Sequence, residues 1–200
     1  MQKDTEQKIL IAAEEEFIQK GMSGARMQEI ANRAGINKAL LHYYYRSKDK
    51  LFLAVFKMAL STFIPKVERM LASEDSVFDK IRQFVQEYGK VIMRNQFIPL
   101  FVMHEIGRNP EILADIVLSN NISPQRFIDQ FEEARKNGEI IDVDPRHIII
   151  NMLSLIIFPV AGRPMLERII FNNDRKEYQN FLKQRLDHVP DFIINSIKKK

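Results

Sequence analysis

Apolar positions recur at three- and four-residue intervals along this chain of 200 residues, and no segment alternates with period two. The pattern predicts helices throughout. Ile9, Ala13 and Phe17, with Leu10 and Ala12 beside them, form a one-sided stripe. Asp4 or Thr5 can cap its start, and Gly21 can end it as a left-handed residue. A short helix over about 27–34 follows, with Ile30, Ala31 and Ala34 on one side, and Gly35 ends it. A third covers about 37–44. Ser47 caps a fourth, with Asp49 in its first turn, which is expected to run to about Leu71.

The same signals continue to the C-terminus. Ser76 opens a helix to about Asn95, Pro99 sits in the first turn of one ending near Asn109, and Pro110 starts a short one to about Ser119. Ser123-Pro124 and Asp144-Pro145 are caps followed by first-turn prolines, and Gly138 stops the former helix. Asp174 opens the last helix, which Pro190 is expected to kink or break before Phe192, Ile193 and Ile197. The expected fold is all-α, with three short N-terminal helices joined through a long fourth to a helical bundle. The expected division is 1–47 and 48–200.

Composition narrows the class. Hydrophobic residues make up 46% and charged residues 28%, an ordinary globular balance. With no cysteine there is no disulfide framework and no thiolate metal site. The polar start MQKDTEQK predicts no secretory signal, and a cytoplasmic location is expected. The longest apolar run, Ile148 to Gly162, is broken by Asn151, Ser154 and Pro159; it is short of the ~20 residues of a membrane span, so no membrane partner is expected.

Net charge is only +4, but six basic residues (Arg26, Arg33, Lys38, Arg46, Lys48, Lys50) stand against Glu29 and Asp49 between residues 26 and 50. Such a patch concentrates polyanions, although a solvated charged face gives the same count. Spacing favours the first reading. Ala31 lies four residues before Gly35, where a small side chain lets two helices approach and glycine permits a positive φ. This is the helix-turn-helix pattern, whose second helix enters the DNA major groove. A wheel at about 100° per residue sends Asn37, Leu40, Leu41 and Tyr44 inward, and Lys38, Ala39, His42 and Tyr43 outward. Lys38 can donate to guanine edges, Ala39 can touch a thymine methyl, and His42 and Tyr43 can reach phosphates. Lys48 and the free N–H groups at the start of the fourth helix can hold another.

The stretch EIANRAGINKALLHYYYRSKDKLF, Glu29 to Phe52, resembles the DNA-binding domain of the TetR family of transcriptional regulators. Ile30-Ala31, Ala34-Gly35, Leu41, Tyr44-Tyr45, Lys48 and Leu51 carry the likeness, over about a quarter of the chain. The resemblance implies base-facing roles for Lys38 and Ala39 and phosphate-facing roles for His42, Tyr43, Tyr44 and Lys48. Arg26 stands where a hydroxyl cap is usual, with Ser23 nearby, and Arg26 and Gln28 are set with the DNA-binding residues. His42 replaces a usual tyrosine, Leu40 a small or hydroxylic residue, and Tyr45 a buried phenylalanine, so the Tyr45 hydroxyl needs a partner or water.

The resemblance also implies a homodimer, a double-stranded DNA operator and a small-molecule effector. The 145–161 helix is apolar nearly all round and needs cover on several sides. Ile149, Met152, Leu153, Ile156, Phe181, Leu182, Leu186 and Ile193 are the expected dimer contacts. Fourteen Phe and nine Met suit a soft apolar pocket, expected around Phe97, Phe101, Met103 and His104. His104-Glu105 begins like a zinc-binding HExxH, but Arg108 holds the second histidine's place, so no metal site is expected. No nucleophile–base pair and no phosphate loop are present, so neither catalytic residues nor a cofactor is expected. The expected function is a dimeric repressor released from its operator by a hydrophobic effector. A helical interaction module without DNA binding, or an enzyme on a helical scaffold, is the alternative.

Overall fold

The computed structural model describes residues 2–61, 63–108, 110–120 and 122–199, leaving aside the side chains at 2, 3, 101, 104, 105, 108, 112, 113 and 117. The named elements are all α-helices: α1 Gln2–Gly24, α2 Met27–Arg33, α3 Lys38–Tyr44, α4 Lys48–Ser61, α5 Ile64–Ala72, α6 Val77–Arg94, α7 Ile98–Arg108, α8 Pro110–Leu118, α9 Gln125–Lys136, α10 Pro145–Ala161, α11 Arg163–Ile169 and α12 Arg175–Ile197. The all-α expectation holds.

Three boundaries differ from the sequence reading. The fourth helix does not run to Leu71; it ends at Ser61, and α5 begins with Pro65 in its first turn. Proline has no N–H to offer the carbonyl of Ser61, and its ring crowds that carbonyl, so the continuous helix is broken there. Pro190, expected to kink or break the last helix, is accommodated inside α12 and is buried. Burial of Val189, Ile193 and Ile194 around it supplies packing that offsets the one lost backbone bond. The seven-residue α11, opened by Pro164, was not anticipated.

Of the expected caps, Ser47, Ser76, Asp144 and Asp174 each accept a backbone N–H of the helix they open, whereas Asp4 and Thr5 lie inside α1, which begins at Gln2. Gly21 bends α1 with φ +66° and ψ 174°.

The larger part of the chain is organised on α6, α10 and α12. Arg82 of α6 pairs with Asp191 of α12 at 2.6 Å, and Gln86 donates to Asp187 at 3.2 Å. Gly89 of α6 lets α12 come close, since a Cβ there would lie 2.3 Å from Leu186 Cδ2. Tyr178, wholly buried, donates its hydroxyl to the carbonyl of Pro159 and so ties α12 to the end of α10. The C-terminus is pinned by an isolated antiparallel bridge between Ile140 and Lys198. No single helix among the described residues is long and apolar enough to cross a membrane.

Candidate nucleic-acid interface and internal cavity

The turn between α2 and α3 closes as a Schellman motif. Gly35 takes φ +69°, its N–H donates to Asn32 O, and the Ile36 N–H reaches back to Ala31 O at 3.0 Å. Ala31 is wholly buried, as the tight approach requires. Asn37 then caps α3, accepting the Leu40 N–H at 2.8 Å. That corrects two inward assignments. Asn37 precedes the helix and turns its side chain to the cap, and Leu40 is exposed; Leu41 alone is fully buried on α3.

The outward face agrees with the wheel. Lys38, Ala39, His42 and Tyr43 are exposed, Tyr43 at 74% of its surface. Tyr44 is half-buried and meets the Tyr43 ring edge-on at 5.7 Å, so it stands at the rim of this face. Tyr45 turns in and donates its hydroxyl to Glu6 at 3.0 Å. Burial, with the Glu6 carboxylate second, pushes its pKa up and keeps it a neutral donor. The expected hydroxyl partner is therefore an acid on α1.

Two basic residues of the 26–50 patch are committed to the scaffold. Arg33 spans Glu15 at 3.0 Å, Glu16 at 3.3 Å and Gln19 at 3.1 Å, fastening α2 to α1. Glu16 is wholly buried and also meets Lys20 at 2.7 Å. The Lys20 contact, with Arg33 added, holds the Glu16 carboxyl below its ordinary range although burial opposes this. Lys48 donates to the carbonyls of Ala25 at 3.2 Å and Ser23 at 3.5 Å. It thus clamps the start of α4 to the α1–α2 junction, with one ammonium proton left over. Arg26 is extended and exposed with no side-chain cap bond, and Gln28 is exposed and donates to Asn32 at 2.9 Å.

A second feature lies inside the larger part of the chain. A cavity of about 350 Å³ is lined by residues from α4 to α10, with walls that include Phe56, Phe63, Met70, Phe84, Ile98 and Met152. The residues expected to form a pocket are placed differently. From α7 it is Ile98 and Val102, one turn apart, that face the cavity. Phe97 turns the other way and packs on Phe52 at 5.3 Å and Phe17 at 6.4 Å, while Met103 is exposed. The side chains of Phe101 and His104 lie outside the described residues, as do those of Glu105 and Arg108. The walls missed by sequence come largely from α5 and α6. One signal was available: Lys80 interrupts the apolar stripe of Val77, Ile81, Phe84 and Tyr88.

Residues 9–55, from α1 into α4, match the family model of the bacterial regulatory proteins of the tetR family. The probable HTH-type transcriptional regulator YttP of Bacillus subtilis (strain 168) is 23% identical over 197 residues, covering 96% of this chain and 94% of its own. Among solved structures, the hemolysin II transcriptional regulator HlyIIR superposes with a TM-score of 0.65 at 22% identity over the full length of both chains. AibR, solved with isovaleryl coenzyme A and operator DNA, superposes with a TM-score of 0.63 at 20% identity, over 78% of this chain and 85% of its own. Residues 9–55 are thus similar to the tetR-family domain, and the whole chain shares its fold with these regulators.

The residues expected at a dimer interface are mostly used within one copy. Met152, Ile156, Leu182 and Ile193 are buried. Ile149 and Leu153 line the cavity, Leu186 fits over Gly89, and Phe181 packs on Phe171 with centroids 5.1 Å apart. The apolar residues that α10, α11 and α12 leave outside are Ile150, Phe158, Met165, Ile169, Ile170 and Phe192. A helix apolar all round gives no phase from which to choose its outer side.

Arg33→Ala removes the pairing that joins α2 to the buried Glu16 and is expected to destabilise the protein by about 1–3 kcal/mol in urea unfolding. Because Glu16 titrates lower folded than unfolded, its contribution is complete above the ordinary glutamate range. It is lost as pH falls through the folded value, so the difference between parent and variant should narrow on acidification. A difference that is independent of pH would contradict this assignment.

Proposed function

We propose that the protein is a homodimeric DNA-binding regulator that leaves its operator when a small apolar molecule fills the internal cavity. The observation that carries this reading is the position of two consecutive residues. Ile98 is in the cavity wall, and Phe97 is wedged against Phe17 of α1 and Phe52 of α4. The start of α7 therefore touches both the ligand space and the scaffold that aims α3. In AibR, a fold relative, the same architecture is found with a ligand and operator DNA together.

In this reading residues 1–47 form the DNA-binding unit and 48–200 the effector and dimer unit. The N-terminal half of α3 enters the major groove, with Lys38 on guanine O6 and N7 and Ala39 against a thymine methyl. His42, Tyr43, Tyr44, Arg26 and Gln28 contact the backbone, and the remaining Lys48 proton meets a phosphate beside its clamp. A ligand that displaces α7 moves Phe97 and hence α1 and α4. Two recognition helices must sit about one DNA turn apart, so a small displacement in each copy loses both half-sites. Repression relieved by ligand, in the cytoplasm where the operator lies, is the corresponding mode of action. The second copy docks on the outer apolar residues of α10 to α12.

Three measurements test this. Against duplexes selected from a random pool, Lys38→Ala should weaken binding by roughly 1–3 kcal/mol and relax preference at one base pair. Binding that does not weaken with added salt would overturn the DNA-binding reading. Phe97→Leu should keep DNA affinity while shrinking ligand-induced release from the roughly 5- to 150-fold typical of such coupling towards none; full release in the variant would remove Phe97 from the route. Phe158→Glu should convert dimer to monomer in light scattering, and a variant that stays dimeric would place the interface elsewhere.

A further inference from the structure

The cavity wall restricts what can occupy it. Its volume of about 350 Å³ holds roughly a dozen non-hydrogen atoms, at about 30 Å³ for each water-sized group. Among the described residues nearly all its lining side chains are hydrocarbon or aromatic, and the charged one is Lys80. That ammonium is already saturated. It donates to Ser73 O at 2.8 Å, to Leu71 O at 3.2 Å and to the side-chain oxygen of Gln130, three acceptors for three protons. Among the described residues a ligand carboxylate inside the cavity would find no free cation and a ligand ammonium no carboxylate, so either would be desolvated without compensation from them.

Tyr88 is the exception in the wall. It is buried to 8% exposure, and its ring is held between Phe63 at 5.2 Å and Phe84 at 5.4 Å. Among the described residues nothing accepts its hydroxyl. Burial pushes its pKa up, so the group stays a neutral donor. The hydroxyl is not among the sealed, unpaired polar atoms, so it can be reached, and a ligand oxygen placed against it would supply an acceptor.

We infer that the cavity takes a neutral, predominantly hydrocarbon molecule of about a dozen non-hydrogen atoms whose single carbonyl or ether-type oxygen accepts a hydrogen bond from Tyr88. The inference rests on the reading of this cavity as the effector site. It makes Tyr88 the residue that selects for an oxygen acceptor and the apolar wall the element that rejects charge.

Titration calorimetry on the full-length protein, with no DNA present, tests it using 2-undecanone, undecanoate and undecylamine. The ketone should bind, and the two charged probes should bind at least about tenfold more weakly. Tyr88→Phe keeps the ring and should lower ketone affinity roughly 5- to 10-fold, the loss of one hydrogen bond. Headspace partition of 1-undecene should give equal binding to parent and variant, which separates loss of the hydroxyl from collapse of the cavity. Undecanoate binding more tightly than the ketone, or ketone affinity unchanged in Tyr88→Phe, overturns the inference while leaving the cavity as a ligand site. Failure of every probe to bind the parent protein overturns the inference and the cavity reading together.

Discussion

Three phenylalanine rings hold the molecule's two parts in register. Phe17 and Phe52 meet edge-to-face at 4.5 Å, and Phe97 closes on both. They come from α1, from α4 and from the segment leading into α7, which are distant in sequence. All three are almost completely buried, so the contact is a shared core rather than a surface between separate bodies. Aromatic cores repack between discrete arrangements more readily than they stretch, because dense packing leaves little compliance. In the proposed switch this junction is what carries a displacement of α7 to α1 and α4.

The polar framework of the N-terminal helices serves the same end. Glu16, Arg33, Tyr45 and Lys48 are polar or charged, yet none is simply solvated. Each is instead a strut: Arg33 and Glu16 fasten α2 to α1, Tyr45 fastens the end of α3 to Glu6, and Lys48 fastens α4 to the α1–α2 junction. Committing these groups internally leaves Lys38, His42 and Tyr43 without internal hydrogen-bond partners among the described residues, on a helix whose angle is set from three sides. Recognition of base edges needs that rigidity, because misplacement by an ångström forfeits directional hydrogen bonds.

The same economy is visible in the larger part of the chain. A solid core would be more stable, since an unfilled cavity forfeits packing contacts. Here α5, α6 and α10 surround an open apolar space while the neighbouring faces of α6 and α12 are packed closely enough to require Gly89. A close helix approach thus lies between α6 and α12, and the cavity on the side towards α4, α5 and α7.

Helix caps, the Gly35 turn and the outward face of α3 could be read from the chain alone, because each depends on residues within about four positions of one another. The family resemblance was legible for the same reason: it resides in one short, tightly spaced stretch. The break at Pro65 carried a local signal that the periodicity of the fourth helix concealed, and Pro190 gave a local signal that burial of its neighbours overrode. The cavity walls, the inward turn of Phe97 and the choice of outer face on α10 had no local signature. Each depends on which helix lies opposite, and an apolar residue looks the same in sequence whether it meets a core, a ligand or a second copy. Only the packing of the helices against one another separates those outcomes.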